Sequence, residues 1–387
     1  MTDQRLTELR IHTANGLVPL SDSNSGIPLP RGPRQDGPLL HYGPYLKALS
    51  RFFEEDQGAH LHQALNLLSG RTIPQREIRS VSLTSEKHGA LYQVARLTVE
   101  LAGESYSFAV NTAATEQQKA FLETEAALLA ELHSRFRHPY VPRPILTGRV
   151  HTGGSALGEP QELALLVTEW FDGFCEFHLS LPPGSPEPPR ISVWETDGAV
   201  SFLSPEEEAA LYREASGILT TYFDTESFAQ IYPWHHAAGD FVVRCQEGNL
   251  SVRLITVRGF RPLGDFPSND GSVVIAALHF LVNLTLRMRL DRLDGTGEPA
   301  WAGPRCLKSI VEGFVTSWTQ KRRVNPSLPS VAHLLDLLNQ FDRDDWTDFG
   351  ELVLLDGMVE SDEAQFLGCR LVRHLDELSE AIGCLDT

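Results

Sequence analysis

The chain has 387 residues, and its 33 Lys and Arg against 51 Asp and Glu give a formal net charge of −18 at pH 7. This acidic balance argues against a general nucleic-acid binder, because neutralising phosphates requires clustered Lys and Arg. Hydrophobic residues make up 42% of the chain, which is enough for a full core and excludes disorder throughout.

The first 75 residues are predicted to form an N-terminal arm and a helical extension. Residues 17–38 are rich in Pro, Gly, Ser and Asn, which predicts a mobile or surface-lying segment. Apolar residues then recur at helical spacing over residues 45–68. Gly58 is expected to separate two helices there, and Gly70 to end the second.

Residues 76–173 are predicted to form a β-rich lobe that ends in a hinge. Three runs rich in β-forming residues predict sequential antiparallel strands, and a helix with an apolar stripe follows before two further strands. In chain order these elements cover residues 78–83, 91–101, 106–110, 115–136, 145–150 and 163–170.

Residues 174–387 are predicted to form a mainly helical lobe. Residues 181–190 are expected to be a loop, and Ser204 followed by Pro205 marks a strong helix start. Two short strand-like runs, residues 241–245 and 250–257, interrupt the helices. The predicted fold class is therefore α+β, with a β-rich N-terminal half and a helical C-terminal half. The remaining predicted helices cover residues 273–292, 306–321, 331–341 and 362–382.

The five cysteines are widely spaced and form no C-x-x-C pair, which predicts reduced thiols rather than a zinc or redox site. Residues 1–15 lack the apolar core of a signal peptide, and the longest apolar run, residues 273–284, is too short to span a bilayer. We therefore expect a cytoplasmic protein with no membrane partner and no nucleic-acid partner.

The sequence contains several short segments whose order along the chain is informative. Glu125 lies on the predicted helix, and residues 166–173 read Leu-Val-Thr-Glu-Trp-Phe-Asp-Gly. Residues 234–243 lead into the first strand-like run, residues 252–259 contain the end of the second, and Asn269-Asp270 opens an apolar helix. Together with the element order, these strings resemble the protein-kinase-like fold, specifically its aminoglycoside phosphotransferase branch. The resemblance implies two lobes, with Glu169 in a hinge that holds an adenine.

Two parts of the resemblance depart from an active kinase. Asn111 stands where a lysine would hold the nucleotide phosphates, so Glu125 would lose its ion-pair partner. The loop that should wrap phosphates offers a single glycine, Gly89, beside Lys87 and His88, and a plain hairpin turn explains it equally well. Asn111 and Glu125 can also be an ordinary strand-end residue and a solvated helix residue.

The catalytic loop departs as well. The resemblance places Asp240 at a metal-binding position and His235 at the position of the base, whereas another register makes Asp240 the base itself. Thr256 stands at the position of the main metal-binding aspartate, and Arg258 brings a positive charge close to it. An ion pair between Asp240 and Arg258 that closes this site is therefore predicted. Arg244 and Arg253 are expected to be exposed strand residues.

The leading hypothesis is a kinase-like protein without ordinary phosphotransferase activity. It would act as a ligand-binding or regulatory interaction module, with Asn111, Glu125, Glu169 and Arg258 at the ligand site and the identity of its small-molecule or protein partner left open.

The alternative is an atypical small-molecule phosphotransferase that uses ATP and Mg²⁺. In it, His235 is the base and Asp240 the metal ligand, and a shifted register could add Asp265 or Asp270. A zinc or iron site formed by His235, His236 and Asp240 is a third possibility.

Overall fold

The computed structural model of the chain describes residues 7–13, 16–30, 39–86, 92–153, 159–182, 184, 188–195, 198–234, 239–246, 248–266, 271–357 and 361–385. The chain divides into two compact units. The first comprises Met1–Ser134 and Pro142–Asp172, and the second comprises Arg135–Val141 and Gly173–Thr387.

The first unit contains a seven-stranded sheet in the order β2-β1-β3-β4-β5-β7-β6. All its pairs are antiparallel except β1 with β3, which is parallel. The predicted order of three strands, a helix and two strands is present as β3 to β7 with α3. The bounds are β1 Glu8–Thr13, β2 Gly16–Pro19, α1 Asp22–Ser25, α2 Tyr42–Ser69, β3 Ser80–Ser85, β4 Gln93–Glu100, β5 Ser105–Ala113, α3 Glu116–Phe136, β6 Pro144–His151 and β7 Glu162–Glu169.

One face of this sheet is buried against α2. Alternate residues of each strand enter the core, because successive side chains of a strand point to opposite faces. The hydroxyl of Tyr45 on α2 lies 3.3 Å from that of Thr112 on β5. A Cβ atom on Gly148 of β6 would lie 2.4 Å from the ring of Phe52, so only glycine lets α2 approach this closely. The packing leaves the opposite face, which carries Asn111, less deeply buried.

The structure corrects the predicted N-terminal segment. Residues 17–19, which lie in the segment predicted to be mobile or on the surface, belong to β2, and β1 joins the sheet beside β3. These elements and α2 belong to the same compact unit as the strands that follow. Within α2 the predictions are confirmed: the helical dihedrals are interrupted at residues 55–58, and Gly70, at a φ of +70°, ends the helix.

The second unit contains a five-stranded sheet in the order β10-β9-β8-β12-β13. The prediction of a mainly helical region after residue 174 missed β8, β9 and β10, because a Pro-rich stretch separates β8 from β9 and each strand is short. The bounds are β8 Cys175–Ser180, β9 Arg190–Trp194, β10 Val200–Phe202, β11 Gln230–Ile231, β12 Phe241–Gln246, β13 Asn249–Leu254, β14 Phe260–Arg261, β15 Leu290–Arg292 and β16 Pro299–Trp301.

Helices form the rest of this unit. The predicted start of α4 is confirmed, because Ser204 accepts a hydrogen bond from the N–H of Glu207 while the Glu207 carboxylate accepts one from the N–H of Ser204. The predicted helix over residues 362–382 is two helices, and α8 was not predicted. The bounds are α4 Pro205–Thr221, α5 Ser272–Met288, α6 Arg305–Val324, α7 Val331–Asn339, α8 Arg343–Asp356, α9 Ser361–Gly368 and α10 Leu371–Gly383.

The predicted fold class is confirmed. A β-sheet-rich unit is joined to a unit that carries most of the helices, and this α+β arrangement is consistent with a two-lobed kinase-like fold. Within the described ranges, no helix combines the length and apolar character that a membrane span requires.

Candidate functional site

The β12–β13 hairpin of the second unit positions Asp240 and Arg258. The two strands pair from Phe241 with Leu254 to Gln246 with Asn249. Beyond the last pair, the N–H of Ile255 donates to the carbonyl of Asp240 at 2.7 Å. The hairpin therefore brings the residue before β12 next to the segment that follows β13, although 18 positions separate Asp240 from Arg258 in the sequence.

Asp240 and Arg258 form a bidentate ion pair. The Nη1 atom of Arg258 lies 2.5 Å from Oδ2 of Asp240, and Nη2 lies 2.6 Å from Oδ1. The Asp240 side chain is 2% exposed and that of Arg258 26%. Two parallel charge-assisted hydrogen bonds are the strongest arrangement open to this pair of groups. The ion pair predicted from the sequence is thus confirmed, and a guanidinium covers both oxygens of the carboxylate.

The backbone that follows Arg258 is held by a close contact with the backbone of Tyr232. The N–H of Tyr232 donates to the carbonyl of Gly259 at 3.1 Å. A Cβ atom on Gly259 would lie 2.5 Å from the carbonyl oxygen of Tyr232, so a side chain there would separate the two segments. Tyr232 is buried beneath the guanidinium of Arg287, which lies 5.5 Å from its ring centroid, and burial raises the pKa of Tyr232 to about 12. Arg258 therefore extends from a fixed backbone position.

Of the residues predicted to join Asp240 at a metal site, the structure describes Thr256 and Asp265. Thr256, at the predicted metal position, is half-buried, and Asp265 is exposed. His235, His236 and Asp270 lie outside the described residues, as do Lys87, His88 and Gly89. Within the described part of the chain, no group of three or more His, Cys, Asp and Glu side chains is arranged to hold a metal ion.

The other predicted site residues lie in the first unit. Asn111 on β5 is paired with Val94 on one side and Leu166 on the other. Glu125 on α3 is buried, with 7% exposure, so the alternative that it is a solvated helix residue is wrong. Glu169 ends β7, and its N–H donates to the carbonyl of Arg143 at 3.0 Å.

The contacts of Arg96, on the Asn111 face of the sheet, were not predicted. Arg96 follows Val94 by two residues on β4, so both side chains lie on the face that carries Asn111. The guanidinium carbon of Arg96 lies 5.3 Å from the ring centroid of Trp170, and its Nε lies 2.9 Å from Oε1 of Glu86. The only local signal is an arginine within the alternating pattern of β4, which does not reveal the aromatic partner 74 residues away.

Comparisons with known proteins assign the chain to no family. No protein-family model matches the chain, and no curated protein matches it. Among solved structures, the chain is similar to the Drosophila melanogaster PAN3 pseudokinase, with 12% sequence identity over 79% of this chain and 70% of that chain and a TM-score of 0.30.

Proposed function

We propose that this chain is a kinase-like protein that lacks ordinary phosphotransferase activity and serves as a ligand-binding or regulatory interaction module. We place it, by element order and local strings, beside the aminoglycoside phosphotransferase branch of that fold. The observation that carries the proposal is the bidentate ion pair between the buried carboxylate of Asp240 and Arg258.

The electrostatics of the predicted site support this proposal. Phosphoryl transfer depends on Mg²⁺ held by carboxylates and on a cation that contacts the phosphates. Asn111 is neutral, Thr256 offers at most a weak neutral oxygen, and Arg258 repels a divalent cation. These residues do not fit a magnesium–nucleotide complex.

The ion pair also makes metal binding at Asp240 less favourable. A metal ion that took the Asp240 carboxylate would leave Arg258 without that partner. Because removing one partner of a buried pair costs about 3–5 kcal/mol, we expect metal affinity at Asp240 to fall by a factor of about 100 or more.

The experiment is a thermal-shift titration of the full chain with ATP, GTP and ADP, each with and without Mg²⁺ or Mn²⁺. A ligand that binds only the folded state raises the melting temperature. We expect no rise that requires a metal ion, and no transfer of the γ-phosphate to water or to a small alcohol.

A matched pair of variants separates the two functional hypotheses. Asp240→Asn removes the candidate metal ligand but keeps its hydrogen-bonding shape, and Asp336→Asn removes an exposed carboxylate of the same unit. A metal-dependent rise with ATP that is lost in Asp240→Asn and kept in Asp336→Asn would overturn the proposal. It would favour the alternative, in which Asp240 binds the metal.

A further inference from the structure

A cavity of about 430 Å³ lies between α8 and α10 in the second unit. It is lined by the turn before α8, by the first turn of α8 and by one side of α10. Its volume falls within the range of small-ligand pockets, which is about 300–1,000 Å³. We call this space the α8–α10 cavity.

A close contact of the two helices bounds the cavity. A Cβ atom on Gly350 of α8 would lie 2.6 Å from Cδ1 of Leu375 on α10, so glycine lets the helices approach closely there. Towards the start of α8 the lining side chain is Trp346, which packs edge-on against Phe341 with ring centroids 5.5 Å apart. The cavity therefore has an aromatic wall that the helix packing fixes in place.

Two carboxylates of α10 line the cavity without a cationic partner. Asp376 and Glu380 are exposed, and within the described ranges neither side chain takes part in an ion pair or a hydrogen bond. Arg373 on the same helix is 2.9 Å from Glu377 and pairs with that residue instead. Like charges four residues apart on a helix destabilise it, and a cation bound between them relieves the repulsion.

The other charges that line the cavity leave it acidic. Asp342 accepts hydrogen bonds of 2.9 Å from the N–H groups of Asp344 and Asp345 and caps α8. Arg343 is exposed and, within the part of the chain that the structure describes, pairs with neither Asp376 nor Glu380. Three carboxylates and one guanidinium thus line the cavity, and the net charge of −18 on the whole chain also attracts cations.

Trp346 supplies the second feature of a cation site. The indole ring is the aromatic group that attracts cations most strongly. Trp346 is 6% exposed, and its buried indole N–H donates to no group among the described residues. Buried donors without an acceptor are rare in folded proteins. This unused donor, in a residue that lines the cavity, indicates that a further group belongs beside the ring.

We infer that the α8–α10 cavity binds an organic cation, an alkylammonium or guanidinium group that pairs with Asp376 and Glu380 beside Trp346. The cation can come from a small amine or from a Lys or Arg side chain of a polypeptide. The site does not include Asp240 or Arg258 and requires neither a nucleotide nor a metal ion, so the inference does not rest on the proposed function.

The test is a titration of the ¹⁵N-labelled full chain followed through the indole N–H signals of its six tryptophans. The signal that is missing in Trp346→Phe belongs to Trp346. The probes are n-butylammonium, its neutral counterpart 1-butanol, a capped pentapeptide with one lysine, and the same peptide with norleucine in place of lysine. We expect the two cations to shift the Trp346 signal saturably and the two neutral probes to leave it unchanged.

Variants of the lining charges test which groups bind the cation. Asp376→Asn with Glu380→Gln should weaken the binding of n-butylammonium, measured by calorimetry, about fivefold or more. Glu206→Gln with Asp336→Asn removes the same charge from exposed positions of the same unit and should bind as the wild type does. Arg343→Gln removes the competing cation and should tighten binding about twofold.

The probes also distinguish the sources of the cation. A lysine peptide that binds more tightly than n-butylammonium indicates a polypeptide partner, and equal or weaker binding indicates a small amine. The inference is overturned if neither cation binds or if 1-butanol binds as tightly as n-butylammonium. It is also overturned if both double variants weaken binding equally, because equal losses would report only the net charge of the protein.

Discussion

Removing the guanidinium of Arg258 tests the ion pair on which the proposed function depends. Arg258→Ala deprives the Asp240 carboxylate, whose side chain is 2% exposed, of hydrogen bonds of 2.5 and 2.6 Å. Breaking a buried pair costs about 3–5 kcal/mol. Because the Arg258 side chain is 26% exposed, water can enter the space that it leaves, and we expect the lower end of that range, about 3 kcal/mol.

The assay is urea unfolding followed by tryptophan fluorescence. The second unit contains five of the six tryptophans, so the signal reports mainly on the unit that holds the pair. Arg213→Ala is the matched control. Arg213 also donates two hydrogen bonds to one carboxylate, that of Glu312, but the two side chains are 45% and 30% exposed. Its loss should cost less than about 1 kcal/mol.

A double variant separates the lost pair from the stranded charge. In Asp240→Asn with Arg258→Ala, no carboxylate remains at position 240, so most of the stability lost in Arg258→Ala should return. The reasoning is refuted if Arg258→Ala costs no more than Arg213→Ala, or if the double variant is as unstable as Arg258→Ala. Either result would show that water or other groups stabilise Asp240 as well as Arg258 does.

Three further changes test the second unit. Burial raises the pKa of Asp291 to about 6, above its unfolded value of 3.8, so the carboxyl destabilises the fold progressively as the pH rises between those values. Asp291→Asn should therefore raise the free energy of unfolding by up to about 3 kcal/mol at pH 7.5 and change it little near pH 4. Urea unfolding at the two pH values measures both effects, and equal effects would contradict this expectation. Gly313→Ala would place a Cβ atom 2.2 Å from the carbonyl oxygen of Arg213, and we expect a loss of about 1–3 kcal/mol despite the better helix propensity of alanine. Ser204→Ala removes the cap of α4 and should cost about 1 kcal/mol, whereas Ser204→Thr should retain most of it; an unchanged melting temperature in Ser204→Ala would show that the cap contributes little.

The parts of the fold that the sequence predicted have local signals. Gly58 and Gly70 mark the break and the end of α2 because their backbones adopt positive φ, and Ser204 with Pro205 marks the start of α4. The β1–β3 pair has no such signal. Its residues, for example Ile11 and Ser85, are far apart in the sequence and are joined by parallel pairing, which short-range patterns do not encode.

The candidate site was predictable only where two local features combined. Asp240 and Arg258 flank two β-rich runs joined by a short turn, so a hairpin alone brings them together. The contact of Arg244 with the ring of Phe174 also depends on the pairing of β8 with β12, and β8 was not predicted. Without that strand, Phe174 has no assigned neighbour, and Arg244 cannot be distinguished from an ordinary surface residue.

Burial explains why two arginines of one hairpin region have different partners. Asp240 is almost fully buried, and a buried carboxylate requires a paired cation, which Arg258 supplies. Arg244 is half-buried, so water solvates part of its guanidinium while the ring of Phe174 covers its face. The prediction that Arg244 is simply an exposed strand residue is therefore wrong. The hairpin region thus holds one arginine that is paired with a buried carboxylate and another that packs against an aromatic ring.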